Sequence, residues 1–403
     1  MTLIDTGPSR AIVVPNTPMR DAATWRTSIA VPFTGQRVIV TSRLADLRAY
    51  WPGIASHGDA QHHVFQCAEL LEIWLDTIGK ARGVTPCFVA VLDERGSPLL
   101  LLPLCIERSR GVKVLRFIDG GVFDYNVPVL FPAFGEQNAA KFSSLWEQIL
   151  RALPAFDLLH LEKMPDRILD RPNPMLLLGA GREAVSAHVR SCQVSEAGTP
   201  EPRQGRANRR KLKKLCELGS VEIVAADTAE RYRAFFDAMV THKERRFVET
   251  IVPGFAATPG KLAFYEQATQ RLAGSGVVHL SALKVGDEII ASHWGLYFQN
   301  RLYQLMPGHA GEDWARYSPG RLLNNFLAAW SDERCAVMDF GIGDEPYKAD
   351  YCDIDVPLYG LAVARTHIGA AHLQYQRLME KMRATAIWQA VRPLKWKLKR
   401  AFR

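Results

Sequence analysis

One order of elements is predicted twice along the 403-residue chain, and this duplication constrains the fold more than any single motif. In the second copy a strand-like VEIV at 221–224 precedes two helical segments, AERYRAFFDAMVTHKERRF and KLAFYEQATQRLA. Three extended runs joined by tight turns follow (VVHLSAL, IIASHWGLYF, LYQLMPG), then a helix from about Pro319 to Ser331 and the apolar CAVMDF at 335–340. Some 180–190 positions earlier the same order reads RVIV at 37–40, helix-like LADLRAYW and VFQCAELLEIWLDTI, and the runs CFVAVL, PLLLLPLCI and VKVLRFI. It then closes with the amphipathic NAAKFSSLWEQILRAL and the apolar FDLLHL at 156–161.

An antiparallel meander that passes through a crossover helix must end on a parallel pairing. Where the two pairing modes meet, strands can part and leave a ligand slot at their ends. The expected fold is therefore α/β with α+β mixed sheets, in two similar halves. Residues 1–29 form an N-terminal extension, 30–195 the first half, 196–370 the second half and 371–403 a basic amphipathic C-terminal helix. The linker SEAGTPEPRQG marks the break between halves by its Gly and Pro content.

Charge narrows the partners. Of the net +8, nine Lys/Arg against one acid lie in His372–Arg403, so the chain before it is balanced. A second run places seven basic residues in Arg203–Lys214, on a predicted helix with Leu212, Leu215 and Leu218 to one side. Two local elements, not a general polyanion-binding surface, account for the basic character. The tail IWQAVRPLKWKLKRAFR interleaves apolar residues with cations, which suits an interfacial helix on anionic lipid as well as a docked helix. No window reaches the roughly 18–20 apolar residues of a membrane span, and the first 25 residues show no apolar signal segment. The seven scattered cysteines form no CxxC, so no metal site or disulfide framework is expected. The expected location is the cytoplasm, with the tail able to rest on the inner membrane.

Two stretches carry the candidate chemistry. In YSPGRLLNNFLAAW, Ser318 is expected to cap a helix, Pro319 to take its first position, and Gly320 to admit a ligand. The free N–H groups of Gly320, Arg321 and Leu322 would then form an anion seat. In MDFGIGDEPYKADYC, Asp339, Asp344 and Glu345 could accept a proton, Tyr347 could return one to a thiolate, and Lys348 could hold a phosphate or carboxylate. A kinase metal loop is excluded for lack of an upstream His-Arg-Asp, and a dinucleotide turn for lack of its third glycine. His293 and Trp294 lie on the middle meander strand, where a histidine is either packed or a base. Asp124, Tyr125 and Asn126 occupy the corresponding loop of the first half, which has no SPG-like helix start and so is expected to supply substrate contacts only.

ARYSPGRLLNNFL followed by MDFGIGDEPYK resembles the signature of the CelD/BcsL-type GNAT acetyltransferases associated with cellulose and exopolysaccharide biosynthesis. IIASHWGLYFQNRLYQLMPGH, FDYNVPVLFP and RRKLKKLCELGSVEI are also similar, and together the segments span most of residues 60–350. The resemblance implies tandem GNAT-like halves and acyl transfer from acetyl- or acyl-CoA to a saccharide or envelope precursor, with no metal. Tyr317, Ser318, Pro319, Gly320 and Arg321 would seat the coenzyme. Asp344, Glu345, Tyr347 and His293 would be catalytic, and Lys348, Asp339, Trp294, Asp124 and Tyr125 would face the substrate. The chain departs from ordinary GNAT enzymes in lacking their Q/R-x-x-G-x-G/A loop, which shifts the pyrophosphate contact onto SPG. Two rival readings are an aminoacyl transferase of the FemABX kind, with tRNA on the 203–214 helix, and a non-catalytic scaffold of a polysaccharide-synthesis complex.

Overall fold

The computed structural model describes residues 24–31, 35–56, 58–192, 205–250, 252, 254–383 and 385. The first half opens with β1 (Arg26–Ala30) and β2 (Arg37–Thr41) and passes through α1 (Ala68–Trp74), a π turn and the short α2 (Lys80–Arg82). It then lays down β3 (Thr85–Leu92), β4 (Pro98–Ser109) and β5 (Val112–Phe117) as an antiparallel meander. A two-residue β6 (Val129–Leu130) leans on β4, α3 (Ala139–Ala152) crosses over, and β7 (Leu158–Pro165) returns parallel to β5. A ribbon of β8 (Arg167–Ile168) and β9 (Arg171–Pro172) precedes β10 (Gly181–Ser191).

The second half repeats the plan. After α4 (Arg206–Cys216) come β11 (Val221–Ala225), α5 (Ala229–Glu249) and α6 (Lys261–Leu272). The meander β12 (Val278–Val285), β13 (Glu288–Phe298) and β14 (Arg301–His309) leads to α7 (Pro319–Arg334) and to β15 (Val337–Ile342), parallel to β14. The strand β16 (Ile354–Ala364) and α8 (His367–Arg383) end the described chain, apart from residue 385. The basic helix predicted from 371 thus begins at His367. The linker up to residue 204 and the cation-rich tail beyond Arg383 lie outside the described residues, 385 excepted.

The halves are more closely joined than a linker between two domains suggests. The main sheet runs β1-β2-β3-β4-β5-β7-β16-β10-β15-β14-β13-β12-β11 without a break. The last core strand of each half, β7 or β15, is paired by the final strand of the other half, β16 or β10. The two exchanged strands then pair with each other antiparallel at the centre. Cutting at 195/196 would therefore leave β10 and β16 without their partners, so the halves share one hydrogen-bonded unit.

Packing repeats the same message. One apolar cluster contains Leu70, Trp74 and Phe123 of the first half with Phe264, Trp294 and Tyr303 of the second. Each such fully buried side chain contributes about 1.5–3 kcal/mol relative to exposure. At the contact of the α1–α2 turn with α6, Gly260 has φ +79°, and a Cβ there would strike the backbone of Thr77 and Ile78. β3 reads as a near-continuous apolar run because both of its faces are covered. On the second half, Leu322, Leu323, Leu327 and Ala328 seat α7 on the sheet at helical spacing.

Candidate active site

β14 and β15 stay in register only from Arg301 opposite Val337 to Tyr303 opposite Asp339. Beyond that point the strands part, and a cavity of about 150 Å³ opens between their ends. Gln304 and Phe340 line it from the two strands, and Glu345, Tyr347 and Lys348 from the loop after β15. Lys243 enters from α5, and Asp124 reaches in from the first half. The predicted slot at the parallel junction is thus present, and the substrate-side Asp124 is one of its walls.

Asp124 fits because of a glycine. Gly341 has φ +68°, and a Cβ there would overlap the Asp124 carboxylate. The turn is held by Asp339, fully buried, whose Oδ1 accepts the Gly341 N–H at 2.8 Å. Burial pushes the Asp124 carboxyl up to about 7, with Asp339 and Asp119 adding to the rise and Lys163 opposing it. Lys243 moves the other way, to about 8, because burial disfavours its ammonium and Lys261 repels it. Gln304 donates from Nε2 to Asn324 Oδ1 at 2.9 Å, while its buried Oε1 has no protein partner.

The remaining expected residues divide clearly. Lys348 is 3% exposed, and its Nζ donates to the carbonyls of Gly341, Ile342 and Gly343 at 3.0, 3.1 and 2.8 Å and pairs with Glu345 at 3.0 Å. Its ammonium therefore clamps the GIGDEP loop. Glu345 lies on the cavity wall, but Asp344 is not among the lining residues. Asp344 is exposed and bonds His188 Nε2 at 2.9 Å, a contact that lowers its carboxyl pKa. Tyr347 lines the cavity, yet burial and Glu345 raise its phenol well above the usual value. It can donate a hydrogen bond there, whereas a proton source for a thiolate needs a lower pKa.

His293, Trp294 and Tyr125 are buried in the core and do not line the cavity. The His293 ring lies 5.7 Å from His279, which packs on Trp330 of α7. Trp294 Nε1 bonds Thr269 Oγ1 at 2.8 Å, and Tyr125 stacks on His63 at 4.5 Å. These positions fit the packed alternative for His293.

The start of α7 also differs from expectation. Pro319 takes the first helical position, but Ser318 is left-handed (φ 53°, ψ 54°) and its side chain makes no cap. The Arg321 and Leu322 N–H groups donate to the Ser318 carbonyl at 3.0 and 3.2 Å, so the anion seat narrows to the Gly320 N–H. Ser318 Oγ instead accepts Lys211 Nζ of α4 at 2.7 Å, which brings a cation to the seat. Tyr317 packs near Trp314, and Arg321 pairs with Asp350 at 2.9 Å. Among the described residues no cluster of three metal-type ligands occurs.

Lys211 belongs to the basic run Arg203–Lys214, whereas Lys243 and Gln304 were not singled out in the sequence. Lys243 left one signal: it follows Phe236 and Met239 by seven and four positions, placing a cation on the apolar stripe of α5.

Comparisons with known proteins address the fold. Residues 203–349, the half that contains the cavity's strands, match the family described as an acetyltransferase (GNAT) domain. The crystal structure of FemX superposes with a TM-score of 0.51 at 10% identity, over 74% of this chain and 92% of that one. The C-terminal domain of a putative lysylphosphatidylglycerol synthetase from Agrobacterium fabrum gives 0.47 at 12% identity, covering 78% and 96%. A tandem GNAT protein from the clavulanic acid biosynthesis pathway gives 0.42 at 11%, covering 84% and 98%. No curated protein sequence matches significantly. Residues 203–349 thus match an acetyltransferase (GNAT) domain, and the chain carries them on a mixed sheet that splits at a parallel junction.

Proposed function

We propose that the cavity between β14 and β15 transfers an acyl group from acyl-CoA to an amine or hydroxyl of a saccharide or envelope precursor. The observation that carries the reading is that Asp124 and Lys243 line the same cavity, one carboxyl pushed up to about 7 and one ammonium brought down to about 8. Groups whose environments move their pKa values to either side of the working pH are suited to act as base and acid. Asp124 takes the proton of the attacking N–H or O–H as the new C–N or C–O bond forms. Lys243 Nζ gives a proton to the sulfur as the C–S bond breaks, and its pKa suits a thiol of about 8.5. Tyr347 donates a hydrogen bond at the mouth.

Acyl-CoA supplies the activated acyl carbon, and the residues at the α7 start fit its phosphates. Gly320 keeps an open N–H, Lys211 stands beside it, and a Cβ at 320 would come within 3.2 Å of His309. The SPG segment thus supports the seat that the CelD/BcsL-type resemblance implies. That resemblance also supports a place in cellulose or exopolysaccharide biosynthesis, in the cytoplasm with the tail on anionic lipid.

A second reading draws on the FemX-like fold and on α4, whose Arg209, Arg210, Lys213 and Lys214 are exposed. An aminoacyl transferase would use that face for tRNA and would not bind coenzyme A. The test is release of free thiol from acetyl-CoA with a panel of aminosugars. Asp124→Asn should lower turnover by about 10²–10⁴-fold with coenzyme affinity unchanged. The wild-type profile should rise through about pH 7 as Asp124 loses its proton and fall above about pH 8 as Lys243 loses its own. Full turnover by Asp124→Asn would falsify the assignment of the base.

A further inference from the structure

The first half has its own parting of parallel strands, and it is not a closed relic. β5 and β7 pair only at Val114 opposite Leu158 and Leu115 opposite Leu159. Beyond them lies a cavity of about 310 Å³, twice the volume of the one already described. We propose that this cavity is a second ligand site, for a compact oxyanion, carboxylate or phosphate, that also carries a hydroxyl. The inference does not depend on the acyl-transfer reading.

Three buried polar atoms of the wall lack partners. Asn126 is only 3% exposed; its Nδ2 donates to the Glu162 carbonyl at 3.0 Å, while its Oδ1 is buried with no partner. Arg116 Nε and His160 Nδ1, on the same wall, are likewise buried and unbonded. An unmet buried polar atom costs about 1–3 kcal/mol, so three around one cavity indicate that something polar occupies it.

Charge specifies what that occupant is. Arg82 and Arg116 both reach the single carboxylate of Glu107, at 3.3 and 3.4 Å, so two guanidinium charges share one anion. Lys163 pairs with Asp119 at 2.9 Å, and His160 faces Glu162 at 3.5 Å. Lys261 adds a cation nearby, its Nζ donating to the Gly121 carbonyl at 2.9 Å. Burial lowers the His160 pKa, so Glu162 keeps its negative charge on the wall, while the excess positive charge lies on the two arginines, where the forked donors suit an oxyanion. A hydroxyl on the same molecule would satisfy Asn126 Oδ1. Lys163 holds a left-handed backbone (φ 59°), which sparsely populated conformations at ligand sites often show.

The test is calorimetric titration of the full chain carrying Gly320→Glu, which removes the α7 seat from the measurement. Inorganic phosphate, lactate and glycerol serve as probes. Saturable binding of phosphate or lactate, with none of glycerol, is expected, and the stronger anion identifies the phosphate or carboxylate source. Adding Arg82→Gln and Arg116→Gln should weaken binding at least about tenfold, the loss of a charge-assisted hydrogen bond. If that variant does not fold, Arg116→Lys, which keeps the charge but removes Nε–H, should show the same direction. No binding of either anion, equal binding of glycerol, or unchanged affinity in the arginine variants would overturn the proposal.

Discussion

Two helices hold the same place in the repeat, and they begin in opposite ways. In α3, Asn138 accepts the Lys141 N–H at 2.9 Å, so the helix satisfies its own first turn. In α7 the corresponding residue, Ser318, turns its hydroxyl to Lys211 and leaves the Gly320 N–H open. The adjoining cavities differ in parallel. The second-half cavity brings together a carboxyl and an ammonium that titrate near neutrality, whereas the first-half cavity presents two arginines sharing one carboxylate. One topology thus gives a slot suited to proton transfer and another suited to holding charge. The segment from Asp119 to Asn126 connects them, since Asp119 and Asn126 line one cavity and Asp124 the other.

The comparison can be sharpened first through acid stability. The meander of the first half buries only apolar side chains from Leu99 to Leu102, but β12 and β13 bury His279 and His293. Burial holds His279 near about 4 against its ordinary 6.5, with Arg334 contributing. Between those values the unfolded chain binds a proton that the folded chain refuses. The His279 contribution to stability should therefore be constant above about pH 6.5 and fall by up to about 3 kcal/mol towards pH 4, a fall read as the difference between the wild type and His279→Phe. Hydrogen exchange should show the second-half meander opening first, and His279→Phe, if it folds, should flatten the fall. Uniform opening of both meanders would remove this difference between the halves.

A smaller effect is expected at the contact of the halves. Gly341→Ala forces a side chain into a left-handed position against Asp124 and should cost about 1–3 kcal/mol. It should also lower turnover while leaving coenzyme affinity unchanged, because it displaces the base and not the seat. Unaltered melting and turnover would show that Asp124 does not depend on that glycine. The smallest pair of effects compares the helix starts directly. Asn138→Ala should cost about 1 kcal/mol, and Ser318→Ala less than about 0.5 kcal/mol, because only the first residue caps. Equal losses on denaturant unfolding would mean that the two starts are alike.

Much of the fold could be read from the sequence because the duplicated elements carry their own periodicity. VKVLRFI and CAVMDF show their apolar runs whatever their neighbours. β10 and β16 were not legible, since both are largely half-buried or exposed and owe their order to partners about 170 residues away. The sequence pointed to SPG and GDEPYK, and a cavity opens beside GDEPYK, but which side chains face it was not legible. Asp124 reaches the cavity from the other half past a glycine in GIGDEP, and Lys243 sits mid-helix without a local motif. Lys348 looks like a ligand-binding lysine in sequence, yet the loop folds its own carbonyls around it.

An acyl-CoA site formed by the second-half cleft and the α7 start makes a direct demand on binding. Calorimetric titration of the full chain with acetyl-CoA tests it most directly, with Gly320→Glu as the comparison. Saturable binding by the wild type is expected, with a loss of at least about tenfold in the variant, whose carboxylate would oppose the coenzyme phosphates. Absence of binding by the wild type, or equal binding by both proteins, would contradict it.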